Sequence, residues 1–403
     1  MPGRFRSLHG FNYRMWAMGA LVSNIGSWMQ RTAQDWIVFT QLTPHNAAAV
    51  GTVMALQYGP HLVLLPLTGY TADHLDRRRL LFGTQAAMGC LALALGLLIL
   101  TGSVRLWQMY VFALLLGCVT AFDSPANQTF VSELVGEADL ANAVALNSTS
   151  FNAARLIGPA IAGFLIAAVG SGWVFLVNAA SFCAVLVSLS LLRAPELHRP
   201  ARARRGSSGL LAGFRYVSKR PDLKSILVML FLIGTFGFNF HIFISTMGVT
   251  VFHVGARQFG LMTSILATGT IAGALLAAGR DKPGFAAPVV GAALFGFGCT
   301  LAALMPNYWL FGLSLAVIGV SAMTFTTSTN SLVQLSTVPE MRGRVMAIRL
   351  AIVLGGTPVG APIVGWVADE FGPRWALGVG AASGVAAALV GVVYLARHPA
   401  PSA

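Results

Sequence analysis

Twelve apolar stretches of membrane-spanning length follow one another along the chain, at roughly 13–41, 48–72, 80–101, 105–129, 140–168, 172–192, 224–252, 258–279, 286–305, 308–332, 344–369 and 374–396. A helical run of about 20 residues matches the hydrocarbon thickness of a bilayer. In lipid every backbone N–H and C=O must be satisfied within the spanning structure, which leaves helices or closed strand barrels. The runs are continuously apolar and do not alternate, so barrels are excluded. Charged residues are only 10% of the 403, against about 25% in soluble domains. A pair of soluble domains of this total length could not solvate its surface. The expected fold is an all-α membrane protein of twelve transmembrane helices.

The net charge of +13 invites a nucleic-acid reading, which its placement opposes. Lys and Arg gather at Arg4, Arg6 and Arg14, at Arg77–Arg79, within 193–224, and near residues 280 and 342. With twelve spans these all fall on one side, and the other side carries little beyond Arg105, Arg257 and Arg374. Such asymmetry puts both termini in the cytoplasm. The basic residues read as a topology signal first and as contacts with anionic lipid second; no nucleic-acid partner is expected. Cys90, Cys118, Cys183 and Cys299 lie apart inside spans, so neither disulfide nor metal site is expected. The first apolar run is too long for a cleavable signal peptide.

Residues 193–224 interrupt the pattern with nine Lys or Arg residues among Pro, Gly and Ser. They divide the spans six and six, giving an N-terminal bundle over 1–192, a basic cytoplasmic linker over 193–224 and a C-terminal bundle over 225–403. Within the linker, Leu210 to Val217 suits a short amphipathic helix. Shifting the chain against itself by 202 residues places Gly158 on Gly360, Gly163 on Gly365, Gly170 on Gly372 and Trp173 on Trp375. GPAIAG at 158–163 thus repeats as GAPIVG at 360–365, and the halves read as a parallel duplication. Duplicated helical bundles place a substrate site between repeats near the midplane.

Between the second and third spans stands Gly69-Tyr-Thr-Ala-Asp73-His-Leu-Asp-Arg77-Arg78-Arg79. It resembles the signature G-x-x-x-D-R/K-x-G-R/K-R/K of the major facilitator superfamily, matching at Gly69, Asp73, Arg77 and Arg78, with His74 and Asp76 as departures. The resemblance implies a cytoplasmic latch. Gly69 would admit close helix packing. Asp73 would face the positive end of another helix, and Arg77 would pair with Asp123 in the fourth span. Gly158-Pro159 followed by Gly163 resembles the Gly-Pro-x-x-x-Gly core of exporters in this superfamily, where Pro kinks the helix and Gly packs it. Phe122–Gln128, Asn142–Asn147, Phe151–Pro159 and the stretch from Pro339 to Met346 resemble one bacterial exporter branch, which includes enterobactin and macrolide efflux proteins. Asn127 stands where that branch carries Arg.

Ionisable groups inside a span are costly and mark function. Asp35 is the candidate proton carrier, unless Arg31, four residues earlier on the same face, holds it as a structural pair. Arg155 in the fifth span suits an anionic substrate or a packing role. His61 suits a proton relay, and His241 does so less. Trp28, Trp36, Trp107, Trp173, Trp309 and Trp375 mostly lie near span ends, as an interfacial belt does.

The sequence holds no GxxxxGK[ST] loop, HExxH or GxSxG elbow. No enzyme activity, cofactor or metal is expected. The resulting expectation is a secondary transporter of a bacterial inner membrane. It would export a small organic molecule (a drug, siderophore or secondary metabolite) by alternating access, driven by protons and complete as a monomer. An uptake symporter and a non-transporting sensor or scaffold of the same fold are the competing readings.

Overall fold

The computed structural model describes residues 5–198, 210–278 and 284–398. Among these residues the regular structure is entirely helical. The helices are α1 (Phe11–Thr40), α2 (Ala47–Val63), α3 (Leu65–His74), α4 (Arg77–Leu100), α5 (Leu106–Leu134), α6 (Glu137–Val169), α7 (Ser171–Leu191), α8 (Leu210–Ser218), α9 (Pro221–Leu232), α10 (Phe240–Ser245), α11 (Ala256–Ala278), α12 (Ala286–Leu304), α13 (Tyr308–Ser336), α14 (Pro339–Phe371) and α15 (Pro373–Arg397).

Ten helical segments among the described residues are long and apolar enough to cross a membrane, counting Pro221–Val251 as one. The first two expected spans are more polar or broken. Helix α1 is 30 residues long but carries Gln30, Arg31, Gln34 and Asp35. Helices α2 and α3 meet at Leu64, where the chain turns ahead of Pro66. Together they complete the twelve-span plan.

The duplication is visible in the helices. Helices α5 and α13 are each 29 residues long and α6 and α14 each 33. Their first residues, Leu106 and Tyr308, Glu137 and Pro339, are separated by the same 202 positions that align the glycines. Gly170 and Gly372 end α6 and α14 at φ +95° and +99°, a backbone region open to glycine and strained for other residues.

The chain forms two compact units, neither continuous in sequence. The N-terminal unit comprises Met1–Leu42, Pro60–Arg204 and Gly255–Ser264; the C-terminal unit comprises Thr43–Gly59, Arg205–Val254 and Ile265–Ala403. Each unit thus exchanges one short segment with the other. Glycine contacts show why the exchanged segments belong where they do. In the N-terminal unit, a Cβ on Gly163 would stand 2.6 Å from the Ala256 carbonyl oxygen, so α6 lies directly against the start of α11. In the C-terminal unit, a Cβ on Gly365 would stand 2.6 Å from the Ala47 carbonyl oxygen, so α14 lies directly against the start of α2. The repeated glycines thus perform the same task in each unit. The carboxylate of Asp369 completes the second contact, accepting from the Ala47 N–H at 2.7 Å and the Ala48 N–H at 2.8 Å.

Within the N-terminal unit, α1 packs on α6 and α7, and α4 on α5 and α7. One end is filled by Tyr13, Trp16, Leu81, Phe130, Leu134 and Leu189. In the C-terminal unit, α12 packs on α13 and α15. The short linker helix α8 does form, and its Val217 joins a core with Leu223, Ile226, Leu332, Val345 and Ile348. The chain following α9 departs from α-helical geometry, with π-helical turns at Ile233–Gly237 and Thr246–Val251 and a non-helical step at Phe238 and Asn239.

Candidate functional site

The N-terminal unit encloses a cavity of about 600 Å³ bounded by α1, α2, α4, α5, α6 and α7. Its wall is polar for a membrane protein, with Ser23, Asn24, Arg31, His61, Asp123 and Asn147 on it. Polar residues at i, i+3, i+4 and i+7 of α1 (Asn24, Ser27, Trp28, Arg31) put one face of that helix on the cavity.

Trp28 is the centre of a basic aromatic cluster. The guanidinium carbon of Arg31 lies 5.0 Å from its ring centroid and that of Arg155 lies 5.6 Å away, on the α1 and α6 sides. Both distances suit a cation–π contact. Phe151 meets the same ring edge-on at 5.8 Å. Gly158 makes the approach possible, since a Cβ there would stand 2.7 Å from Trp28 Cβ. Gly158 therefore sets the cavity wall by admitting α1 against α6, while Gly163 packs on the start of α11. Trp28 lies at the cavity and not in an interfacial belt, whereas Trp107, Trp309 and Trp375 stand near helix starts and are more than 60% exposed.

Asp123 is buried on the cavity wall. Its Oδ1 accepts from Thr84 Oγ1 at 2.6 Å and Gln85 Nε2 at 3.0 Å. The expected pair with Arg77 is not formed. Arg77 instead meets Glu133 at 2.7 Å, with both side chains largely buried. Depth along the helix is the reason. Arg77 is the first residue of α4 and Glu133 the penultimate residue of α5, so the two ends of this antiparallel hairpin coincide. Asp123 lies ten residues earlier, about 15 Å deeper at the α-helical rise of 1.5 Å per residue. Arg78 donates from Nε to the Leu189 carbonyl at 2.9 Å and from Nη2 to the Ser190 carbonyl at 3.0 Å, closing the end of α7. Asp76 caps α4 by accepting from the Arg79 N–H at 3.0 Å. A Cβ on Gly69 would meet nothing within 4 Å, so the close packing expected there is absent. The side chain of Asp73 lies outside the described residues.

Asp35 is buried on α1, one turn from Arg31, and is not among the residues lining the cavity. His61 is on the cavity wall. His241, by contrast, is half-buried in the C-terminal unit.

Duplicated helices, matched glycines at matched helix starts and a polar cavity inside an otherwise apolar bundle fit a transporter of the major facilitator superfamily, and the family match makes the chain such a transporter and not an enzyme. The model of one family in it, described as transmembrane secretion effector, matches residues 5–401, and the chain belongs to that family. It is 26% identical to the staphyloferrin A transporter of Staphylococcus aureus, over 86% of this chain and 87% of that one. It is 25% identical to the multidrug efflux pump Tap of Mycolicibacterium fortuitum, over 88% of each, and 26% identical to the enterobactin exporter EntS of Shigella flexneri, over 88% of this chain and 84% of that one. Among solved structures, the nucleoside transporter NupG superposes with a TM-score of 0.76 at 14% identity, covering 95% of this chain and 99% of that one. A bacterial homologue of the lysosomal transporter Spinster, in an inward-facing state, gives 0.70 at 15% identity over 96% and 95%. These structures share the fold.

Proposed function

We propose that this protein is a secondary exporter, in the inner membrane of a bacterium, of small organic molecules that combine a negative charge with an aromatic or extended apolar part. The observation that carries this reading is the Arg31–Trp28–Arg155 cluster at a polar cavity. The Arg31 guanidinium on the cavity wall offers forked donors for a carboxylate or catecholate, Arg155 adds positive charge at the same ring, and Trp28 and Phe151 offer ring faces. Siderophore and drug export in relatives of comparable length supports the same substrate range, and Gly158-Pro159 with Gly163 supports outward transport.

Protons from the transmembrane gradient supply the energy, and the acidic group on the cavity wall, Asp123, is the proton-exchanging residue. It takes the role first given to Asp35, because it shares the cavity with Arg31 and His61. Cargo and proton then meet in one compartment, which is what coupling between them requires. The Arg77–Glu133 pair and the Arg78 contacts form the cytoplasmic latch, both termini are cytoplasmic, and one chain suffices. Everted vesicles test the reading. An inside-acid gradient is expected to drive uptake of a catecholate or polycarboxylate siderophore in vesicles carrying the protein. Asp123→Asn is expected to abolish that dependence on the gradient. Uptake into right-side-out cells instead would establish symport, and gradient dependence that survives in Asp123→Asn would remove this residue from the coupling.

A further inference from the structure

An arginine within a span of the C-terminal unit, Arg349, has no role in the site above. Arg349 lies ten residues into α14, about 15 Å from its start along the axis at 1.5 Å per residue. Only 9% of it is exposed. Its Nη2 donates to the Thr326 carbonyl of α13 at 3.2 Å, and its Nε is buried with no acceptor. Among the described residues no carboxylate pairs with it. A guanidinium offers five N–H donors in a fixed fork, and here the bond to Thr326 engages one of them.

Arg220 in the same unit shows what a satisfied arginine looks like. It forms two bonds to Asp222 at 3.0 and 2.7 Å, one to the Tyr216 hydroxyl at 2.9 Å and one to the Ser336 carbonyl at 2.9 Å. A buried cation without such compensation is costly to keep folded, and inside a membrane span it marks a functional position.

The helix facing Arg349 is suited to sharing an anion. Residues 326–330 of α13 read Thr-Thr-Ser-Thr-Asn, an unusually polar run for the interior of a span. Thr326 and Thr327, four and three residues before Asn330, share a face with it, and all three are half-buried. The Thr326 and Thr329 hydroxyls donate to backbone carbonyls, so Thr327 and Asn330 supply the neutral polar groups of this stretch, which carries no competing carboxylate.

We propose that Arg349 is an anion-binding residue of the C-terminal unit, taking a carboxylate of an organic anion on its unused N–H groups, with the Thr326–Asn330 face of α13 as the supporting wall. That the anion is also the cargo rests on the exporter reading. That Arg349 binds an anion does not.

The test is equilibrium binding to the purified full chain in detergent, with no gradient present. The probes are citrate and, as an organic cation, ethidium. Arg349→Gln is expected to weaken citrate binding about tenfold or more, the loss of one or two charge-assisted hydrogen bonds. Arg349→Lys keeps the charge but not the fork and is expected to fall between. Ethidium binding should stay within about twofold of wild type in both variants. Unchanged citrate affinity in Arg349→Gln overturns the proposal, as does an equal loss for both probes or a wild-type chain that binds no citrate. If the Gln variant does not fold, the Lys variant decides, and unchanged citrate affinity there overturns the proposal as well. Citrate binding that depends on Arg349 in a protein that moves no solute in vesicles would sink the exporter reading and leave this one standing.

Discussion

Asp369 is the most informative single position to perturb. Its two oxygens accept separately from the N–H groups of Ala47 and Ala48, at 2.7 and 2.8 Å, so one carboxylate satisfies two of the orphan donors at the start of α2. Asp369→Asn removes the charge and leaves one acceptor oxygen. A side chain capping a helix start is worth about 0.5–2 kcal/mol, and a negative charge at that end adds about 0.3–1 kcal/mol. Asp369 is exposed, which screens the second contribution. Asn46 still caps locally by accepting from the Ala49 N–H at 2.7 Å. The net loss is therefore set at about 1 kcal/mol for Asp369→Asn, with somewhat more for Asp369→Ala. If residues 43–59 detach from α14 as a local opening, that loss raises their amide exchange about fivefold. Hydrogen exchange read by mass spectrometry on peptides covering 43–59 checks it, with peptides from α12 and α15 as internal controls. Exchange in 43–59 that stays at the wild-type level in a folded Asp369→Asn protein would refute the view that this carboxylate holds α2. A rise of equal size in α12 and α15 would show a general loss of stability instead.

Three further outcomes are expected. Glu133→Gln strands Arg77 in a largely buried position and should lower stability by about 1–3 kcal/mol, whereas Asp123→Asn should leave the Arg77–Glu133 pair intact; a double-mutant cycle over Arg77 and Glu133, read by thermal unfolding, separates the two. Gly360→Ala should sharply reduce the yield of folded protein, because a methyl there would collide with the Thr235 carbonyl, while Gly69→Ala, with nothing within 4 Å, should express and unfold like wild type. Trp28→Ala removes the ring shared by Arg31 and Arg155 and should cut export of an aromatic anion about tenfold or more, the effect of about 1–2 kcal/mol from two cation–π contacts; unchanged export would take the cluster out of the binding site.

Much of the architecture was legible because it follows from periodicity and repetition. Apolar runs gave the spans, and the 202-residue offset named in advance the glycines that occupy matched places in α6 and α14. The local site was less legible. The family signature pointed Arg77 at Asp123, but signatures record spacing along the chain and not depth along a helix. Counting the rise from the ends of α4 and α5 would have favoured Glu133. A belt reading that suits most of the tryptophans does not reach Trp28, whose spacing from Arg31 puts the two on one face of α1. Arg349 carries no signal of its own in the sequence, because it follows Arg342 and Arg344 closely. Seven residues of further helix carry it from Arg342 to a buried position. The exchanged segments had no sequence signal, because which bundle a helix start joins is decided by close backbone contacts at Gly163 and Gly365.

Those exchanged segments change what it would mean to cut the protein in two. Cleavage in the 193–224 linker separates two polypeptides, but each would still carry a segment that packs with the other unit. The amino-terminal fragment would carry residues 43–59 with no α14 to receive them, and it would lack the 255–264 segment that closes on Gly163. The carboxy-terminal fragment would be short of the same pieces in reverse. Each fragment made alone should be a poor domain, prone to aggregation and degradation, while the two produced together should recover by trading their misplaced ends. Covalent continuity through the linker would then matter less than the mutual completion of two unfinished halves.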